Sequence, residues 1–378
     1  MTAGRARVLS VAALLALTAC AGAAGEVGAP PVTPATSSAT PPPSAGPTQV
    51  PPRPPSPGPS GGAVTLAFAG DVHFEDELRA RLADPAGALA PVAPLLSAAD
   101  LTVVNLETAI TGRGAPEPKK YHFRTSPAAL VALHAAGVDV VTMANNHAVD
   151  FGAAGLADTL AAVRRSPVPV VGIGRDADAA FSPYVASVRG TRVAVLGATQ
   201  VPDRTAAAWP AGPGRAGVAV ARDPSRLLRA VRQARGRADV VVVYLHWGTE
   251  RVGCPTPEQR SLARALAAAG ADVVVGSHAH VLLGAGSLGH TYVGYGLGNF
   301  VWYSPNSTAE ATSGVLTLTL RGRRVAAQRW APAHIGRDGV PRPVAGAESS
   351  QLVTAWSALR GCTGLAHPQD PLDADTPD

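Results

Sequence analysis

A layered α/β fold, its strands largely parallel with an antiparallel edge at the C-terminal end, follows from three features of this 378-residue chain. Five runs of small and β-branched residues each end in a short polar cluster, and such runs, bounded by Gly, read as strands buried on both faces. Helical patterns separate these runs from residue 64 to residue 280, which is the alternation of a layered α/β protein. After residue 290 the pattern changes to strands alone, which adds antiparallel pairing at an edge.

The five runs are Val64 to Gly70, Leu101 to Val104, Val138 to Ala144, Val240 to Leu245 and Val273 to Gly276. Further strands are expected at Val168 to Ile173, Val193 to Leu196, Tyr292 to Tyr295, Val315 to Leu320 and Val325 to Trp330, with Arg321-Gly322-Arg323 as a hairpin turn. Helices are expected at Pro91 to Ala99, Pro127 to Ala136, Ala153 to Arg164, Ser225 to Arg235 and Pro257 to Ala269, each closed by Gly, Pro or a polar stop. The folded domain is placed at 63–336. Residues 337–378 form a Pro-rich polar tail with one helix near Ser349 to Leu359, expected to wrap the surface or fray.

The N-terminal region has a different character. Arg5 and Arg7 precede an apolar stretch from Val8 to Leu17, the pattern of an export signal and too short for a stable membrane span. Leu17-Thr18-Ala19-Cys20 resembles a bacterial lipobox, which implies a signal over 1–20 and a lipid-bearing Cys20; an ordinary cleaved signal with a chance Cys is the alternative. Residues 21–62 are Pro, Ala, Ser, Thr and Gly with almost no large apolar side chains, so they read as a disordered tether. The expected location is therefore extracytoplasmic, on the outer face of the bacterial cell membrane, held through a lipid anchor alone.

Composition limits the partners. A formal charge of +5 carried almost wholly by Arg suits an anionic ligand, and without a dense basic stripe nucleic acid is excluded as the expected partner. In an exported chain the remaining cysteines, Cys254 and Cys362, read as a disulfide, with two separately buried thiols as the alternative.

The strand-end clusters carry the chemistry. They are Asp71-Val72-His73, Asn105-Leu106-Glu107, Asn145-Asn146-His147, His246-Trp247-Gly248 and Ser277-His278-Ala279-His280. Open α/β sheets place ligand sites at the carboxyl ends of their strands, so the clusters converge there. Five of the 10 histidines fall at these positions, and imidazoles beside carboxylates at one point make a metal centre. Asp71 and His73 face the same way on an extended segment; His278 and His280 serve one ion or are split between two.

The order Asp-x-His, carboxylate, Asn-His, lone His, His-x-His resembles the metallophosphoesterase superfamily. More closely, Asn105-Leu106-Glu107, the run from Ala144 through Asn146-His147 to Gly152, His246-Trp247-Gly248-Thr249-Glu250 and Tyr295-Gly296-Leu297-Gly298-Asn299-Phe300 resemble the CapA family of poly-γ-glutamate capsule synthesis proteins. The wider superfamily bridges its metals with an Asp, and Glu107 is the departure that points to CapA. The resemblance implies an α/β sandwich with two divalent metal ions, Mn, Fe or Zn in preference to Mg or Ca. One metal would take Asp71, His73 and His280, the other Asn146, His246 and His278, with Glu107 bridging.

His147, beside a ligand, is the candidate proton donor to a leaving oxygen, oriented by Asp150. Asn105, Asn145, Glu250 and Asn299 are candidates to support the ligands or touch substrate, and Trp247 to pack under the ligand loop or wall the substrate. Lys120 and Arg124, in the loop Lys119-Lys120-Tyr121-His122-Phe123-Arg124, suit an anionic substrate. The expected function is that of a CapA-like envelope protein for synthesis, export or tethering of a poly-γ-glutamate-type polymer, acting as a metal-dependent hydrolase on a phosphoester or γ-glutamyl amide. Its partners would be that polymer or a phosphorylated envelope substrate, and the capsule synthesis machinery. Two alternatives are an extracytoplasmic metallophosphoesterase unrelated to capsule and a metal-dependent polymer-binding assembly factor without turnover.

Overall fold

A computed structural model describes residues 62–303 and 305–368; the export signal, Cys20 and the linker expected at 1–62 lie outside the described residues apart from Gly62. Two mixed sheets face each other across an apolar core, and helices cover their outer faces. The eight-stranded sheet runs in the order Pro341–Pro343, Arg324–Ile335, Thr312–Arg321, Val64–Val72, Leu101–Leu106, Val140–Thr142, Val170–Val171, with Asn299–Val301 also on Val64–Val72. The six-stranded sheet runs Ala285–Leu288, Thr291–Gly294, Val273–Ser277, Val240–His246, Thr191–Thr199, Tyr184–Val188.

Period-two alternation builds the layers, because successive side chains of a strand point to opposite faces. On the first strand Leu66 and Phe68 enter the core between the sheets, where they meet Val240, Val242 and Tyr244 of the second sheet. Ala67 and Ala69 point the other way, into a core shared with Ala129 and Leu133 of helix Ala128–Ala135 and Leu156 of helix Gly152–Val163. Val241, Val243 and Leu245 likewise pack on Leu227 and Val231 of helix Ser225–Arg235 and on Leu262 and Leu266 of helix Pro257–Ala269. Both strands are thus buried on two faces, as their unbroken apolar runs require.

The antiparallel C-terminal edge is the hairpin of Thr312–Arg321 and Arg324–Ile335, turned at Gly322 with φ +59°. The second sheet also carries antiparallel pairs at both of its edges, turned at Arg189-Gly190 and Gly289. Those short edge strands, Tyr184–Val188 and Ala285–Leu288, lack a long apolar run and escape a sequence reading. The stretch expected as one strand over Val168 to Ile173 is two, Val170–Val171 and Ile173–Gly174, broken at Gly172 with φ +85°.

From residue 337 to residue 368 the described chain is docked: helix Gly346–Ala358 stacks Trp356 on Trp330 with ring centroids 5.4 Å apart. A disulfide joins Cys254 to Cys362 across 108 residues of sequence. Among the described residues no helix is long and apolar enough to cross a membrane.

One register change positions the site. The first strand pairs antiparallel with Thr312–Arg321 as far as Phe68, then parallel with Asn299–Val301 from Asp71. The switch falls at Gly70, where a Cβ would sit 1.9 Å from the Gly298 carbonyl oxygen, so only Gly permits the approach. It delivers Asp71 and Asn299 side by side at the same sheet end.

Candidate metal centre

Asp71, Glu107, His246, His278 and His280 meet at the carboxyl ends of four strands, drawn from both sheets. Ligand atoms of Asp71, Glu107 and His246 lie within 4.8 Å of one another, and so do those of Glu107, His278 and His280. Glu107 belongs to both groups. Its two carboxylate oxygens are buried and accept no hydrogen bond in the protein. A buried carboxylate without donors costs several kcal/mol, of order 3–5 when a charged partner is missing, so the position calls for a cation.

The surrounding bonds aim the donors. Asn105 Nδ2 donates to Asp71 Oδ1 at 2.7 Å, and the His278 amide donates to Asp71 Oδ2 at 2.9 Å. His280 Nδ1 lies 2.8 Å from Asn299 Oδ1, an oxygen that can only accept, so Nδ1 is the donor of this bond and orients the ring. His246 Nε2 lies 2.7 Å from Asn146 Oδ1, 3.1 Å from His278 Nδ1 and 3.4 Å from Glu107 Oε1. Its other nitrogen is 3.2 Å from Ser277 Oγ. Asn146 is steadied through its carbonyl, which accepts from Thr205 Oγ1 at 2.6 Å and Lys119 Nζ at 2.5 Å.

Burial sets the charge states. Desolvation holds His147 and His278 well below the ordinary imidazole range and lowers His246 to about 4, so all three are neutral near pH 7, the form that ligates. Burial first, and then the neighbouring Asp71 carboxylate, pushes Glu107 well above the usual carboxylate range. The donor set of two carboxylates, an amide oxygen and imidazoles therefore fits divalent transition metal ions, the identity that mixed O and N ligands favour.

Backbone strain accompanies the site. His278 and His280 have φ of +94° and +57°, two non-Gly residues in the left-handed region one residue apart. Each such residue costs of order 1–3 kcal/mol and persists where the surroundings impose it.

His147 completes the cavity without joining either group. Its Nδ1 lies 2.6 Å from Asp150 Oδ2 and its Nε2 3.8 Å from Glu107 Oε1. Burial raises Asp150 to about 6, against the opposing pull of Lys119 at 2.5 Å, so Asp150 is ionised at neutral pH and fixes the His147 tautomer. Asn145 locks the segment, accepting from the His147 amide at 3.1 Å and donating to Asn105 Oδ1 at 3.0 Å.

Not every expected residue converges. His73 stands at the wall, stacked on Phe123 with centroids 4.7 Å apart and edged by Trp302 and Tyr303. Its Nδ1 accepts from the Glu75 amide at 3.0 Å, and its Nε2 lies 3.4 Å from the Tyr303 amide, which places it outside the two ligand groups. Trp247 is fully buried and donates to the Tyr295 carbonyl at 2.9 Å, a packing position under the loop. Arg124 lies over the Phe151 ring, and Lys120 over Tyr121. Glu250 does reach the mouth, a cleft of about 260 Å³ shared with Tyr121, His147, His280, Trp302 and Tyr303.

Sequence reasoning named Lys119, Phe123 and Ser277 only as members of their clusters, with no role of their own, and missed Trp302. Trp302 follows the Asn299–Val301 strand directly, and that adjacency to a motif was the available signal.

The model of the bacterial capsule synthesis protein family, PGA_cap, matches residues 65–304. The "Capsule biosynthesis protein CapA" of Bacillus anthracis is 34% identical over 233 residues, 61% of this chain and 55% of that protein. The "PGA biosynthesis protein CapA" of Bacillus subtilis (strain 168) is 35% identical over 214 residues, 56% of this chain and 55% of that one. A "probable polyglutamine synthesis accessory protein" of Mycobacterium tuberculosis is 31% identical over 224 residues, 53% of this chain and 58% of that one. The chain thus spans little more than half the length of these relatives. Among solved structures, a phosphatase of Mycoplasma pneumoniae aligns with a TM-score of 0.46 at 15% identity, over 72% of this chain and 94% of that one. With the family model covering the six-stranded sheet and all five strand-end clusters, the chain belongs to the bacterial capsule synthesis protein family, PGA_cap.

Proposed function

We propose that this is a CapA-like envelope protein that acts on an anionic capsule polymer of the poly-γ-glutamate type through a two-metal hydrolase site. The observation that carries the reading is the orphaned, fully buried Glu107 carboxylate between two groups of candidate ligands. Asp71, Glu107, Asn146, His246, His278 and His280 would hold two divalent ions. Bound there, the ions would supply Lewis acidity and an activated water for attack on a phosphoester or amide.

The chain's own residues supply the proton chemistry and the water exclusion. Neutral His147, its Nδ1–H held by Asp150, presents Nε2 to the cavity; it accepts a proton there and returns it to the leaving oxygen or nitrogen. Phe123, stacked on His147 with centroids 4.1 Å apart, and Trp302, 4.5 Å from His280, exclude water from the wall. His73 supports this wall.

The Cys254–Cys362 disulfide supports an oxidising, extracytoplasmic location, and Cys20 with the linker would provide the lipid anchor and reach. Elemental analysis coupled to a panel of phosphoesters and γ-glutamyl polymers tests the reading. Two transition-metal equivalents and hydrolysis that is lost on His147→Ala are expected; folded protein that takes up no metal from solution would overturn it.

A further inference from the structure

A charged cleft away from the mouth lies against the outer strand of the six-stranded sheet. It encloses about 620 Å³ and shares no residue with the cleft over the metal centre. Three arginines line it, Arg226, Arg229 and Arg237, together with Gln233. At intervals of three, four and four residues these side chains share one face of helix Ser225–Arg235 and the turn after it, a span of roughly 16 Å at 1.5 Å per residue.

The opposite wall and floor are apolar: Phe181, Pro183, Val185, Ala230 and Ala234. Val185 is 44% exposed, unusual for its residue type on a strand. Its strand, Tyr184–Val188, pairs with Thr191–Thr199 along one edge and has no sheet partner on the other among the described residues. One acid, Asp178, enters the cleft and pairs with Arg226 at 3.0 Å, so Arg229 and Arg237 carry the remaining positive charge of the lining.

We propose that this cleft is a docking site for a polycarboxylate chain. Guanidinium forks take carboxylates in pairs of hydrogen bonds, and the aliphatic stems of the polymer lie on Phe181, Pro183 and Val185. The open edge of Tyr184–Val188 offers backbone groups to the polymer's amides. The choice of polymer rests on the capsule reading above, but the site itself needs no metal.

Binding of poly-γ-glutamate to the folded chain, measured by calorimetric titration in chelator at about 0.05 and 0.2 M salt, tests the proposal. The wild type and Glu107→Gln bind alike, more weakly at the higher salt. Arg229→Ala/Arg237→Ala, with an unchanged unfolding midpoint, loses affinity by about tenfold or more, the effect of about 1.4 kcal/mol. Equal binding by this double variant overturns the docking site, and so does equal affinity for polyphosphate or single-stranded DNA, which would mark a general polyanion patch. Loss of binding in Glu107→Gln alone moves the polymer to the metal centre and also overturns it. The capsule reading fails separately, if metal-loaded wild type hydrolyses phosphoesters yet neither binds nor cleaves the polymer.

Discussion

Lys119 Nζ stands 2.5 Å from Asp150 Oδ1 and as close to the Asn146 carbonyl, so one largely buried ammonium tethers both a candidate ligand and the partner of His147. Removing it leaves Asp150, at zero side-chain exposure, without its cation and with only the His147 ring and the Phe123 amide as partners. Lys119→Met should destabilise the fold by about 3 kcal/mol, the cost of breaking a buried pair. Denaturant unfolding checks the loss, and metal titration of the same variant should show weakened binding because Asn146 is no longer held.

Glu107 predicts the opposite sign in the metal-free protein. Its buried acid has no donor and burial disfavours its charged form, so Glu107→Gln removes the cost of holding an acid there and should stabilise the protein in chelator by about 1–3 kcal/mol. The same substitution should abolish most of the thermal stabilisation that Mn²⁺ or Zn²⁺ confers on the wild type. Thermal melts with and without metal decide the matter; a variant less stable in chelator and equally stabilised by metal refutes the assignment.

The disulfide closes a long loop. Joining residues 108 apart restricts the unfolded chain, and its loss should cost about 2–5 kcal/mol. Urea midpoints of wild type and Cys254→Ser/Cys362→Ser should differ accordingly, and addition of reductant should bring the wild type to the variant's value without changing the variant.

Asp338 gives a pH signature away from the site. The Arg342 hydrogen bond, with help from Arg81, lowers it to about 2. A carboxylate depressed on folding contributes stability above its unfolded value near 3.9, and that contribution fades as the pH falls toward about 2. The difference in unfolding midpoint between wild type and Asp338→Asn should therefore be constant above about pH 5 and shrink on acidification below 4.

Periodicity alone carried much of the fold, for a physical reason. Val240 to Leu245 is apolar at every position because both of its faces are packed, and the helix Pro257–Ala269 was legible to the residue because Thr256 and Gln259 form a capping box and Gly270 ends it at φ +102°. Tyr184–Val188 was illegible because its alternate residues face solvent and its short apolar content resembles a loop. At the site, ligand types at strand ends could be read from sequence because topology forces strand ends together. His73 could not be resolved in that way: a side chain two residues from Asp71 on the same strand is captured by Phe123, Trp302 and Tyr303, contacts that come from distant segments. Lys119 was overlooked beside Lys120 because adjacent lysines are indistinguishable until the loop's path decides which one turns inward.

The left-handed pair His278 and His280 bears on how the protein breathes. A loop that stores conformational energy at the two residues flanking Ala279 is a natural place for sub-global opening once nothing pulls its imidazoles together. Amide deuterium uptake in this segment should therefore report cation occupancy directly, fast in chelator and slow when loaded, while the amides of the valine-rich strands Val240–His246 and Val273–Ser277 exchange only with global unfolding.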